Sequence, residues 1–159
     1  MKYINVGKLV NTHGLKGEVR ILSNFRHKKN VFVKGMKLYI GKKKEEFTIN
    51  TYRFHKIYDM VTFDGINNIN DVEYLKGLNV YINEEDLKLD DEIYSGKLID
   101  FKVFIDNKEV GIIKEIIDTP TNEVLRVNDK ILIPYVDEFI EKIDMDNKII
   151  YVRNVGGLV

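Results

Sequence analysis

Apolar and polar residues alternate along much of this chain with a period of two, the spacing of strands that bury one face. Val19 and Ile21 fall on one side of such a segment, Glu18 and Arg20 on the other. Further strands are expected over residues 36–40, 46–53, 57–63 and 78–82. The first two are separated by the polar run Gly41-Lys42-Lys43-Lys44-Glu45, and the third is closed by Asp64-Gly65, a pair that often connects hairpins. One short helix interrupts them. Asn70 is placed to cap it, Glu73 stands three residues later as in a capping box, Gly77 can end it, and Val72 and Leu75 supply an apolar stripe. The second half is again strand-rich, over residues 98–105, 110–117, 124–127, 131–134 and 148–152. Turns are expected at Asp106-Asn107-Lys108, at Asp129-Lys130 and at Asp144-Met145-Asp146-Asn147. A second short helix is expected over residues 137–143, with Phe139, Ile140 and Ile143 on one side and Glu138, Glu141 and Lys142 on the other. The pattern predicts a mainly β fold of two small β-barrels in tandem, residues 1–83 and 93–159, with a few short helices.

The segment Thr12-His13-Gly14-Leu15-Lys16-Gly17-Glu18-Val19-Arg20-Ile21 reads as strand, loop, strand. Glycine is favoured where φ must be positive or where another group approaches closely, so Gly14 and Gly17 mark a structural loop. That loop exposes His13 and Lys16. Two readings stand side by side: an ordinary barrel hairpin, or a hairpin that also presents a contact surface.

The chain has 159 residues, 44% of them hydrophobic and 31% charged, enough for a core and a soluble surface. No apolar run has the length of a membrane span, and the first seven residues do not resemble a signal peptide. With no cysteine, disulfides, iron–sulfur clusters and thiol catalysis are excluded; a cytoplasmic protein is expected. The net charge of zero conceals a division. Residues 1–84 carry 15 Lys+Arg and 8 Asp+Glu, a net +7, and residues 85–159 carry 10 and 17, a net −7. Opposite charges on the halves suit either different partners or mutual attraction. Residues 84–92 form an acidic run that reads as a linker. Its carboxylates, including Asp90-Asp91, lack the glycine and closing glutamate of a calcium loop, as does the stretch from Asp144.

Catalytic signatures are missing. His13, His27 and His55 do not form an HExxH spacing, and Gly14-Leu15-Lys16-Gly17 is neither a Walker loop nor a GxGxxG fingerprint. No G-x-S-x-G elbow occurs. The chain reads as a binding protein without cofactor or metal rather than an enzyme.

Several motifs fall in a recognisable order. They are Val6-Gly7-Lys8, the Thr12–Ile21 loop segment, Phe63-Asp64-Gly65-Ile66, Leu75-Lys76-Gly77, Asn122-Glu123-Val124-Leu125-Arg126-Val127, the run from Ile131 to Ile140, Ile143-Asp144 and Gly157-Leu158. Together they resemble the RimM family of bacterial ribosome maturation factors along the whole chain. The resemblance implies a translation-factor-like barrel followed by a PRC-type barrel. It also implies assistance to late assembly of the 30S subunit head, through small-subunit ribosomal protein number nineteen and the 3′ domain of 16S rRNA, with no catalytic role.

Combined with the charge division, the resemblance assigns rRNA to the basic half, through His13, Lys16, Arg20, Arg26, Lys28 and Lys29, with His27 among them. It assigns the ribosomal protein to the acidic half, through Tyr94, Leu98 and Tyr135. The expected state is a monomer with no membrane partner. One stretch departs from the family. Where the second domain begins, members usually carry Glu-Tyr-Tyr-Trp and then Asp-Leu, the aromatics being implicated in holding the ribosomal protein. Here the stretch is Glu92-Ile93-Tyr94-Ser95-Gly96-Lys97-Leu98, with Tyr94 the one aromatic and Lys97 in the acidic position. Such an interface loses hot-spot area, or Tyr94 is simply a packed barrel residue.

Overall fold

Six strands of the first half close on themselves: β1 (Tyr3–His13), β2 (Glu18–Leu22), β3 (Lys37–Ile40), β4 (Glu45–His55), β5 (Tyr58–Phe63) and β6 (Asn79–Asn83), in the order β1-β2-β5-β4-β3-β6. The computed structural model describes residues 1–89 and 92–154. Asp90-Asp91 and the Gly157-Leu158 pair lie outside the described residues. The chain divides into two compact units, Met1–Asp90 and Asp91–Val159.

The first barrel is filled by the alternation that the sequence displays. Val19 and Ile21, Leu38 and Ile40, Ile49, Val61 and Phe63, and Val80 and Ile82 are essentially inaccessible to water. β1 departs from strict alternation. Its register shifts between Asn5 and Gly7 against β6, and between Leu9 and Asn11 against β2. Each bulge bends the strand so that it can serve both neighbours. Val6 and Leu9, three apart, consequently both point inward.

The expected helix after β5 is instead two 3₁₀ turns, Ile69–Asp71 and Glu73–Leu75. Asn68, not Asn70, caps the first, its Oδ1 accepting from the Asn70 N–H at 2.8 Å. This side-chain cap starts the turn two residues early, and the chain leaves helical geometry at Val72 before a second short turn begins, so the segment is spent in two 3₁₀ turns. Val72 and Leu75 are buried as the pattern requires. Asp64-Gly65 does turn the chain, but no hairpin follows, since β6 pairs with β1 and β3. The acidic stretch begins with a 3₁₀ turn, Glu84–Asp86, capped by Asn83. Leu87 is buried, and the Lys88 carbonyl accepts from the Asn30 side chain at 2.8 Å.

The second unit is a six-stranded sheet. Its strands are β7 (Lys102–Ile105), β8 (Lys108–Asp118), β9 (Glu123–Val127), β10 (Ile131–Pro134), β11 (Ile140–Asp144) and β12 (Ile149–Val152), ordered β10-β9-β8-β7-β12-β11. β7 and β12 run parallel, and the other neighbours are antiparallel. The β7–β8 turn places Asp106 and Asn107 both at positive φ, 51° and 64°, as a two-residue hairpin turn demands. Leu98, Phe101, Val103, Ile105, Ile113, Leu125, Val127, Ile133, Ile150 and Val152 form its core.

Two expectations fail here. Residues 98–101 are not strand, because Ser95–Leu98 is a 3₁₀ turn and Asp100 has φ 72°. Residues 137–143 are not a helix: a tight turn at 137–139 leads into β11. The reason is a bulge. The register of β11 against β12 shifts between Ile140 and Lys142, so Ile140 and Ile143 both pack on the core. Their spacing of three imitates a helical stripe.

Candidate functional site

The glycine loop between β1 and β2 is held at both ends. Gly14 and Gly17 have φ of 74° and 96°, and a Cβ on Gly17 would lie 2.9 Å from the Ile66 side chain. The Ile69 N–H donates to the Leu15 carbonyl at 2.9 Å. The loop is therefore preorganised, with Leu15 79% exposed and Lys16 exposed at its tip.

His13 and Arg20 are joined. An Arg20 N–H donates to His13 Nδ1 at 2.7 Å, and since arginine has no acceptor, the His13 proton must sit on Nε2. The Arg20 guanidinium also lies 5.6 Å from the centre of the Tyr58 ring. Around them gather residues that sequence reasoning passed over. Arg53 donates two hydrogen bonds to the Glu18 carboxylate, at 2.9 and 2.8 Å. His55 lies 6.4 Å, ring to ring, from His13. The bond to Arg53, with the Arg53 charge adding to it, holds the Glu18 carboxyl below its ordinary pKa against the opposing effect of burial. One outer face of the barrel thus carries His13, Glu18, Arg20, Arg53, His55 and Tyr58. Nothing in the local sequence marks Arg53 and His55, because the β1–β2 and β4–β5 pairs meet only through long-range pairing.

The remaining basic residues separate. Arg26 and Lys29 are exposed. Lys28 is committed elsewhere: its ammonium lies 3.2 Å from the Asp59 carboxylate, whose side chain is fully buried, and 5.0 Å from the centre of the Phe54 ring. The other Asp59 oxygen accepts from the Tyr52 hydroxyl at 2.6 Å. Burial and that bond push the Tyr52 pKa up to about 12. Lys28 is thus a counter-ion for a buried carboxylate.

In the second unit Leu98 is fully buried in the core. It anchors its segment instead of offering a contact surface, which corrects its expected role. Tyr94 is half-buried, and its ring lies so close to Gly96 that a Cβ there would come within 2.5 Å of Cε2. The absence of a side chain at Gly96 is what leaves room for the ring. Tyr135 donates from its hydroxyl to the Ile93 carbonyl at 2.6 Å, and Ser95 donates to Glu123 at 2.7 Å. Two side-chain bonds therefore fix the stretch around Tyr94. Burial, then the carboxylates of Glu92, Glu123 and Asp137, push the Tyr135 pKa up to about 12. Those three acids place negative charge near the Tyr135 hydroxyl.

Among the described residues no group of three His, Asp or Glu side chains could hold a metal ion, and no helix is long and apolar enough to cross a membrane.

Known proteins match the chain along its length. Residues 4–87 match the RimM N-terminal domain and residues 96–158 the RimM PRC barrel domain. The ribosome maturation factor RimM of Shouchella clausii is 38% identical over 168 residues, covering 98% of this chain and 96% of that one. Those of Geobacillus kaustophilus (36%, 99% and 97% covered) and Staphylococcus aureus (37%, 98% of each) are similarly related. The crystal structure of a 16S ribosomal RNA processing protein from Pseudomonas aeruginosa shares the fold. Its TM-score is 0.50 at 20% identity, over 96% of this chain and 97% of that one. With both halves matched in order and the relatives aligned nearly end to end, the chain belongs to the RimM family of ribosome maturation factors.

Proposed function

We propose that this protein is a cytoplasmic, monomeric, non-enzymatic assembly factor for the head of the 30S subunit. In this reading the basic first unit binds 16S rRNA in immature subunits. The acidic second unit binds small-subunit ribosomal protein number nineteen. Family membership sets the process, and the +7/−7 division of charge supports the assignment of partners. On the first unit, His13, Lys16, Arg20, Arg26 and Lys29 face the RNA, where phosphate contacts supply affinity and shape supplies selectivity. On the second, Tyr94 and Tyr135 face the basic protein within the carboxylates of Glu92, Glu123 and Asp137, and complementary potential orients the encounter.

The mechanism is preferential binding. A factor that binds the correctly folded intermediate more tightly than its alternatives shifts the population toward it by mass action. It leaves when maturation removes that preference. A pull-down from lysate with the full chain tests the reading, scored for the ribosomal protein and for 16S precursor, alongside binding to purified immature and mature 30S subunits. Enrichment of both partners and tighter binding to immature particles are expected. Equal affinity for the two particles, or capture unchanged by charge reversal at Glu92, Glu123 and Asp137, would count against it.

A further inference from the structure

The last part of β4 is an anomaly for a barrel strand. Of its eleven residues, Phe47 and Ile49 are buried, but every residue from 51 to 57 is exposed. Beyond Thr48 the β3–β4 pairing has ended and β4 runs on along the edge of the wall, paired with β5 through Arg53↔Met60, Phe54↔Asp59 and His55↔Tyr58, while β5 is itself backed by β2 at Arg20↔Met60 and Ile21↔Asp59. Phe54 is 56% exposed and Ile57, in the turn, 62%. An edge segment with every side chain exposed gains little from burial. This one is braced: Arg53 clamps Glu18, Tyr52 bonds Asp59 and stacks on Phe32, and Lys28 covers one face of Phe54. The fold rigidly displays large apolar side chains that it does not bury.

The charges beside them are cationic. Glu18 is taken by Arg53 and Asp59 by Lys28. Among the described residues Arg20 has no acidic partner: it donates to a His13 ring nitrogen and lies over the Tyr58 ring. Lys56 stands exposed in the turn at φ 59°. Cations flanking exposed aromatic and aliphatic surface are the combination that takes a phosphate backbone together with an unstacked base.

We propose that the β4–β5 hairpin end, residues 53–57, is an RNA-contact element for a looped or bulged strand. A base packs on Phe54 and Ile57, and the flanking phosphates lie toward Lys56, His55 and Arg20. The proposal rests on the RNA-facing reading of the first unit and deepens it, because none of residues 53–57 follows from the glycine loop. A continuous duplex fits poorly, since its deep, narrow major groove does not admit side chains.

Fluorescence anisotropy with the full chain and a labelled 16S 3′-domain fragment provides the test, with thermal unfolding followed in parallel. Ile57→Ser and Lys56→Glu touch no internal bond and should weaken binding about tenfold each at unchanged Tm. Phe54→Ala should act similarly, with some loss of stability because Lys28 lies against that ring. Lys42→Glu and Lys43→Glu, on the exposed β3–β4 turn, should change affinity less than about twofold. Wild-type binding unaffected by Ile57→Ser and Lys56→Glu overturns the hairpin proposal and leaves the first unit's RNA role standing. Loss of ribosomal-protein capture with RNA binding intact overturns it in favour of a protein contact. Absence of RNA binding by the wild type overturns both readings.

Discussion

Replacing Lys28 should damage the fold more than the interface. Lys28→Met removes the ammonium 3.2 Å from a carboxylate with no solvent access and leaves the Tyr52 hydroxyl as the remaining side-chain donor to Asp59. Breaking a buried pair from one side usually costs about 3–5 kcal/mol, because the orphaned charge keeps its desolvation penalty. The Lys28 side chain is 33% exposed, so water screens one end of the pair, and about 2–3 kcal/mol is a fairer expectation. In a unit of this size that corresponds to a fall in Tm of about 10–20 °C. Asp59→Asn keeps an acceptor for Tyr52 and removes the charge. The double variant should therefore lie within about 1 kcal/mol of Asp59→Asn alone, a strong positive coupling. Urea denaturation of the four proteins, followed by circular dichroism, measures the cycle. RNA affinity of folded Lys28→Met should stay within about threefold of wild type, since one partly screened phosphate contact at most is lost. A stability loss below about 0.5 kcal/mol, additive single costs, or a tenfold loss of RNA affinity without destabilisation would refute the counter-ion role.

Gly17→Ala should destabilise more than Gly14→Ala, by about 1–2 kcal/mol, since both have positive φ but only Gly17 also meets a neighbour, Ile66, at 2.9 Å; paired thermal melts decide it, and equal losses would be contrary. The Glu18–Arg53 pair predicts an acid-sensitive difference between wild type and Arg53→Gln. The Glu18 pKa is lowered in the folded state, so its contribution is full above the ordinary glutamate pKa and is lost as pH falls through the lowered value. The gap in Tm between the two proteins should accordingly be present at neutral pH and vanish in acid. Tyr135 gives the opposite sign. Its pKa is raised to about 12, so its contribution is full below the ordinary tyrosine pKa and is lost as pH rises toward the folded value. Tyr135→Phe should cost about 1 kcal/mol for the lost bond to Ile93 and remove one late-titrating phenol from the alkaline absorbance titration; an unchanged titration would exclude the assignment.

The strands of both units were legible because most bury one face with strict alternation, as Val19 and Ile21 or Val80 and Ile82 do. The resemblance to the family was legible for a different reason, since it rests on motifs spread along the chain. What could not be read was pairing. Lys28 looked like one more surface cation until Asp59, distant in sequence, was folded against it. Leu98 was grouped with Tyr94 by the resemblance, and the 3₁₀ turn between them carries Leu98 into the core while Tyr94 stays half-buried. Sequence distance hides a partner even when both members are ordinary residues.

Bulges account for the rest, and they also shape the candidate RNA surface. A bulge exchanges the faces of every residue beyond it. In β11 that exchange disguised a strand as a helix. In β4 the register shifts between Ile49 and Thr51. Phe47 and Ile49 point inward before the shift, and Tyr52 and Phe54 occupy that side after it, Tyr52 reaching the buried Asp59. Unbroken alternation would have placed Arg53 and His55 inward, against the core. The bulge delivers them to the outer face instead, where Arg53 meets Glu18 and His55 comes close to His13. A single extra residue in β4 thus separates its end into an aromatic side and a cationic side. On the proposed RNA contact, that separation is what would let one short element offer stacking surface and positive charge to the same strand.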